Sequence, residues 1–312
     1  MLAVSSTTME RLGTISRHIS AQQVLTVALG TGGAADDLPA GSRFADVVTT
    51  LSNYFKGGHT GNAELIRSIW HPVASLKGVD EKGQLVVLEP DDFFALVKSG
   101  ATKSDDPAIL AADKIVSLEF TSPRTVLAKV EIAELNQTGE PVIYTDFLSL
   151  ARLEDDAWKV VSKIFAPRPL GAPSYTEPTE LTRTHAEIAE ALVHYFDAQS
   201  SGGGSSAILK KVFHPTALLR GPDPDSGELR VIDAAMFYDS VDSPERKANV
   251  FESARLDKII RIDKSGPNTA CATVQIQGGP GGATLWTDHL SVLKLDGVWK
   301  IVHKTFTPTS LK

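Results

Sequence analysis

Only one cysteine, Cys271, occurs in the 312 residues. A lone thiol forms no internal disulfide, so nothing in the sequence calls for an oxidising compartment. Within "TACATVQIQ" it reads as a small buried residue of a strand. Basic residues are short as well. Lys and Arg number 31 against 38 Asp and Glu, a net charge of -7, which excludes the clustered positive face that nucleic acid requires. No apolar run approaches the ~20 residues of a bilayer span; "VLTVALG" is the longest near the N-terminus. Metal-ligand spacing is missing too. His59 in "GGHTG" has no second His or Cys at ligand spacing, so no metal is expected. "GGPGG" (Gly278 to Gly282) lacks the following helix and Lys of a phosphate loop and reads as a turn. A G-x-S-x-G elbow is also lacking, and nothing points to a cofactor.

What is present is an ordinary globular balance, 42% hydrophobic and 22% charged, in a length that suits two domains of about 150 residues each. The first 40 residues differ in kind, being rich in Ser, Thr, Ala and Gly with one weak helical stripe of Leu12, Ile15 and Ile19. They fit a flexible leader or a targeting segment such as a transit peptide. The expected location is therefore cytoplasmic or organellar, with no sign of secretion.

The strongest signal is a repeat. "YTDFLSLARLEDDAWKVVSKIF" (Tyr144 to Phe165) is rewritten near the C-terminus as "WTDHLSVLKLDGVWKIVHKTF" (Trp286 to Phe306). "LSNYF" matches "LVHYF", "IWHP" matches "VFHP", and "LKG" matches "LRG". The offsets barely drift: His214 minus His71 is 143, Asp288 minus Asp146 is 142, and Trp299 minus Trp158 is 141. A period this long means two whole domains rather than a solenoid. We expect domain one over 41–167, a Pro-rich linker over 168–180 and domain two over 181–309. The connector "APRPLGAPSYTEPTE" (Ala166 to Glu180) carries four prolines, which argues against a helix or a central strand there.

Each copy reads as helical first and sheet later. Val47, Val48, Leu51 and Phe55 recur at helical spacing, as do Ile188, Leu192 and Phe196. Asn62, and Ser205 or Ser206, are candidate N-caps of a short second helix that stops at His-Pro. "EPDDFFALVKSG" places Pro90 in a first turn, two acids after it and Gly100 at the stop, so it predicts a third helix. A hairpin is expected around "VDEKG" and "DPDSG", and three or more strands close each copy. The fold class is α+β, with three helices per copy on one face of a curved, mostly antiparallel sheet.

This order, with "YF", "HP" and "TDxLxLxxxxxxWKxVxKxF" in place twice, resembles the nuclear transport factor 2-like superfamily, in its SnoaL-like and "putative lumazine-binding" branch. The resemblance covers about Arg43 to Pro167 and Leu181 to Pro308. It implies two cones, each a bent sheet around a long helix with a pocket at the wide end. It also implies an intrachain pseudo-dimer through the outer sheet faces, with further oligomerisation open. Cofactor-free isomerases, dehydratases and cyclases, as well as plain binding proteins, belong to the superfamily, so the fold does not choose a function.

With a period of two, Tyr144, Asp146, Leu148 and Leu150 share one face of a strand, and Trp286, Asp288, Leu290 and Val292 share its twin. Each Asp thus stands on an apolar wall, where an unpartnered carboxylate costs several kcal/mol. It is a structural peg, a ligand hook or a catalytic base. His71 and His214, each before a proline, are either helix-end packing residues or proton shuttles to the Asp of the same copy. On the last strand the same alternation groups Trp158, Val160, Ser162 and Ile164, and Trp299, Ile301, His303 and Thr305. It turns Lys159, Val161, Lys163 and Phe165 the other way, toward a domain contact. Asp288, His303 and His214 are therefore the first catalytic candidates, with Asp146 and His71 behind them. Tyr54, Tyr144, Trp158, Tyr195, Trp286 and Trp299 are candidate ligand contacts.

Three functions follow from these residues. The first is binding of a small apolar organic molecule with a few polar groups. The second is a cofactor-independent acid–base lyase, isomerase or cyclase. The third is a pseudo-dimeric scaffold with filled cones. A cavity of about 300 Å³ or more at Asp288 separates the first two from the third.

Overall fold

A computed structural model of the chain describes residues 26–29, 42–79, 84–136, 139–172, 178–199, 205–223, 226–248 and 256–311. Most of the first 40 residues, including the Leu12–Ile19 stripe, lie outside them, as do the centres of the "VDEKG" and "DPDSG" turns.

Domain one begins with the long helix α1 (Ser42–Thr60) and the short α2 (Ala63–Ile69). Strand β2 (Trp70–Val79) forms an antiparallel hairpin with β3 (Leu85–Leu88) and leads to α3 (Pro90–Ser99) and a single turn α4 (Pro107–Leu110). The meander β4 (Lys114–Ser122), β5 (Thr125–Leu135), β6 (Pro141–Arg152) and β7 (Trp158–Pro169) follows. Domain two repeats this as α5 (Pro178–Ala198), α6 (Ser206–Val212), β8 (Phe213–Pro222), β9 (Leu229–Asp233), α7 (Ala234–Asp242), α8 (Pro244–Ala248) and β10 (Lys258–Gly266) to β13 (Val298–Ser310), with β11 (Thr269–Gly278) and β12 (Thr284–Leu295) between. The sheet orders coincide: β4-β5-β6-β7-β2-β3 and β10-β11-β12-β13-β8-β9. Neighbours are antiparallel except β7 with β2 and β13 with β8, which the helical excursion between them makes parallel.

Local signals land where the residues put them. Asn62 accepts a bond from the Leu65 amide at 3.0 Å, Pro90 opens α3, and Gly100 closes it in the left-handed conformation at φ 78°. The fourth short helix in each copy was not expected. The second helix stops two residues before the His-Pro, because Trp70 and Phe213 are already extended. Thr26–Leu29, placed in the leader by composition, forms a strand β1 parallel to β4 at the sheet edge. The first prolines of the connector also lie in a strand. Beyond Phe165 only β6 pairs with β7, so Pro167 and Pro169 lack an amide on an open edge, where none is needed.

Each cone holds its own core between helices and inner sheet face. Val47, Leu51, Leu118, Val130 and Leu148 fill the first, and Ile188, Leu192, Val274, Leu290 and Ile301 the second. The outer faces pack on each other. Leu127, Phe147 and Ile164 of domain one meet Cys271, Leu293 and Val302 of domain two. Reciprocal bonds mark the pseudo-twofold: Lys77 Nζ donates to the Thr216 carbonyl at 2.5 Å, and Arg220 Nη2 donates to the Val73 carbonyl at 2.6 Å. The two pairs are equivalent, since 220 minus 77 and 216 minus 73 both give 143. The chain is thus two tandem cones joined as an internal pseudo-dimer.

Gly221 marks the tightest approach within domain two. A Cβ there would press on the carbonyl oxygen and the ring of Phe306 in β13. Neither backbone can shift without parting β8 from β13, so Gly221→Ala is expected to cost about 1–3 kcal/mol in urea unfolding. A loss below about 0.5 kcal/mol would mean that the two strands have slack.

Candidate functional site

The inner wall carries the same three-residue cluster in both cones. In domain two, Tyr195 of α5 donates its hydroxyl to Asp288 Oδ2 at 2.8 Å. Lys304 of β13 reaches that oxygen at 2.7 Å and the Tyr195 hydroxyl at 2.8 Å. In domain one, Tyr54 donates to Asp146 Oδ2 at 2.7 Å, and Lys163 reaches Asp146 at 2.8 Å and the Tyr54 hydroxyl at 2.6 Å. Both carboxylates are fully buried. Burial first, then the Asp charge, pushes both phenols well above their ordinary value, so they stay neutral donors. Burial lowers Lys304, and Asp288 opposes that shift. The Lys304 ammonium lies 5.5 Å from the ring centroids of Tyr195 and Phe237 and 5.7 Å from Phe306, and Lys163 has matching rings in Tyr54, Phe93 and Phe165. One atom stands out in each cluster. Oδ1 of Asp146 and Oδ1 of Asp288 are buried and find no hydrogen-bond donor among the described residues.

Both lysines contradict the alternation expected for the last strand. Ser149 pairs with Ser162 but Leu150 with Val160, so Val161 is an extra residue; Val302 is its twin between Ile301 and His303. One bulged residue reverses every later side chain. Trp158 and Val160 face inward as expected, but Lys163 and Phe165 then join them, and Ser162 and Ile164 turn out. His303 turns out with its strand. It lies 3.0 Å from Ser75 Oγ of domain one and outside both cavities. Val161 does sit at the domain contact, beside Leu229. The other histidines lie elsewhere as well. His71 Nδ1 accepts from the Val73 amide at 3.3 Å and His214 Nδ1 from the Thr216 amide at 3.2 Å, a matched local turn after each short helix. Burial and neighbouring cations lower both rings. Among the described residues no histidine lines either cavity.

The two cones differ in open space. A cavity of about 380 Å³ in domain two ends on Asp288 and Lys304 and is walled by Phe237, Ile276, Trp286 and Phe306. Its polar side includes Gln199 and Arg246, joined by a 2.8 Å bond from Arg246 Nη2 to Gln199 Oε1. Domain one has about 130 Å³, lined by Tyr144, Glu134, Lys163 and Phe165, and it does not reach Asp146. Of the aromatic candidates, Trp286 and Tyr144 line cavities. Tyr54 and Tyr195 stand behind the walls as donors to Asp. Trp158 is packed edge-on against Phe120, and Trp299 donates its indole N–H to Glu187 at 3.1 Å. Among the described residues no group of three metal-ligating side chains forms, and no helix is long and apolar enough to cross a membrane.

Sequence reasoning missed Lys163, Lys304, Glu134 and Gln199. The lysines did leave a signal, since both copies keep Lys-x-Phe at the end of the last strand, beside an Asp of opposite charge on its neighbour.

Comparison with known proteins agrees with this architecture. A search of curated proteins finds no match. Among solved structures, the chain is similar to an NTF2-like protein of unknown function from Methylobacillus flagellatus KT, at 25% identity over 45% of this chain and all of that one, with a TM-score of 0.34. It is similar to another from Silicibacter pomeroyi DSS-3, at 20% identity over 41% of this chain and 98% of that one, with a TM-score of 0.35. A ketosteroid isomerase-like protein from Erwinia carotovora atroseptica is similar at 16% identity over 42% and 98%, with a TM-score of 0.33. The profile of a family described as "Putative lumazine-binding" matches residues 42–166 and again 183–307, which is most of the chain. The chain therefore belongs to that family, and carries its domain twice in tandem.

Proposed function

We propose that domain two binds a flat, mostly apolar organic molecule with one hydrogen-bonding edge, and that domain one serves mainly as its structural partner. The observation that carries this reading is the 380 Å³ cavity ending at Asp288, whose Oδ1 has no partner. A ligand N–H reaching that oxygen would relieve an acceptor that is costly to leave unmade. Trp286, Phe237 and Phe306 offer ring faces and edges for a planar body. Gln199 and Arg246 at the same cavity are the polar side chains nearest a ligand carbonyl there. A fused heteroaromatic with adjacent N–H and C=O groups fits that pattern, and lumazine, from the family's description, is a suitable probe.

Binding is favoured over turnover by the company Asp288 keeps. Its Oδ2 is already held by Lys304 and Tyr195, and the histidines that would relay a proton lie outside the cavity. The test is a titration of Trp fluorescence with lumazine. Gly278 lies beside Trp286 at the cavity rim, 3.2 Å from its indole nitrogen when a Cβ is added. Gly278→Glu should fill the rim and weaken binding at least about tenfold, or ~1.4 kcal/mol. Asp288→Asn should weaken it by a similar factor. If lumazine and related heterocycles fail to bind the wild-type chain, and native mass spectrometry of the protein from its source shows no bound molecule, the reading falls.

A further inference from the structure

Domain one holds a carboxyl that its twin lacks. Counting along matched ladders, Val130 pairs with Asp146 and Val274 with Asp288, so Glu134 and Gly278 stand at the same inward position four residues on. The helix shows the reverse exchange. Four residues after the buried tyrosine, domain one has Gly58 and domain two has Gln199. The exchanges fit each other sterically, because a Cβ on Gly58 would come 3.3 Å from Glu134 Oε1.

The charges inside the first cone do not balance. Asp146 is matched by Lys163 at 2.8 Å, and Asp113 is held by His59 at 2.6 Å. The Glu134 side chain makes no hydrogen bond or ion pair with another described residue, and it lines the 130 Å³ cavity with Tyr144, Lys163, Phe93 and Phe165. The second cone has Gln199 and Arg246 beside its matched Asp288–Lys304 pair.

We propose that the first cone is a second ligand site, taking a small organic monocation of the protonated-amine class with Glu134 as its counter-charge. A compact ammonium fits a cavity of this size, and Tyr144 supplies a ring that attracts a cation, while Phe93 and Phe165 already face the Lys163 ammonium at the same cavity. The half-buried, unmatched carboxylate would gain a partner of opposite charge. Burial raises Glu134 to about 7; Lys163 and His59 pull it down, while Asp146 and Asp113 push it up. Its charge, and with it the site, therefore switches on as pH rises through neutrality. This site is independent of the cavity at Asp288, so either can fail alone.

The test is a ligand-observed NMR titration of the full chain with n-propylammonium, with n-butanol as the neutral control of similar size. Saturable binding of the ammonium is expected, about tenfold tighter at pH 8 than at pH 6, since the ionised fraction of Glu134 rises by that factor. Glu134→Gln, nearly isosteric, should abolish it. Absence of saturable binding at pH 8, equal affinity at both pH values, binding unchanged in Glu134→Gln, or equal binding of butanol would each overturn the proposal.

Discussion

Replacing Lys304 with methionine is expected to lower the stability of domain two by about 3–5 kcal/mol, the usual cost of stranding one partner of a buried pair. Asp288 is 0% exposed and its Oδ1 has no donor, so only the Tyr195 hydroxyl would remain to it. Methionine keeps most of the volume among Tyr195, Phe237 and Phe306, so the loss reads charge rather than a cavity. A double variant, Lys304→Met with Asp288→Asn, removes both charges and should recover much of the loss. The coupling in the cycle is then at least about 2 kcal/mol. Lys163→Met should act alike in domain one, where the same pair stands at 2.8 Å. Urea unfolding followed by circular dichroism checks both, with each domain's transition fitted separately if they part. A loss under about 1 kcal/mol for the single variant would mean that water reaches Asp288 and that the cluster is a solvated pair.

This cluster also sharpens what each Asp is. In domain one Asp146 is held by Tyr54 and Lys163, with no cavity in front of it. In domain two Asp288 is held in the same way by Tyr195 and Lys304, and it stands at the end of the open cavity. One conserved structural device thus carries two consequences, and the difference comes from residues around it. Glu134 narrows the first mouth, and Gly278 widens the second.

The inner walls β6 and β12 were legible because strict alternation holds along them. Tyr144, Asp146 and Leu148 face the cone as their spacing requires. The last strands were not. A single bulged valine at 161 or 302 looks like any other strand residue, yet it turns Lys163 and Lys304 inward and His303 outward. Side-chain parity has no memory of a bulge, so one unseen insertion inverted the candidate list after that point. The repeat itself held the remedy: a Lys kept in both copies, opposite a buried Asp kept in both copies, is more economically read as a pair. Helix ends fared better, since Asn62 and Gly100 act through local geometry that no distant contact overrides. Cone asymmetry stayed hidden because Glu134 and Gly278 adjoin turns of unlike sequence, "NQTGE" and "GGPGG", where the copies align least well.

Acid should loosen the joint between the domains. His289 and His303 both lie in it, 2% and 1% exposed, and both touch hydroxyls of the opposite domain rather than carboxylates. Burial holds His289 down at about 3 and pushes His303 well below its ordinary value, helped in the second case by Lys77 and Arg220. A folded pKa below the unfolded 6.5 means that only the unfolded or separated state takes up the proton. The stabilisation is therefore complete above pH 6.5 and drains away as pH falls toward the folded value. Between pH 7 and 4.5, His289 alone should account for about 2–3 kcal/mol. The carboxylates add their own acid loss, so the comparison must be with His289→Gln and His303→Gln, whose stability should fall less steeply over that range. Cys271 reports the site of the loss. It is 1% exposed between the two sheets, so opening of the joint should let 4,4′-dithiodipyridine reach it at pH 4.5 while the cone cores remain folded by circular dichroism. Parallel pH slopes for wild type and both variants would place the acid-sensitive groups elsewhere. A thiol that reacts only when the helices melt would mean that the two cones unfold as one unit.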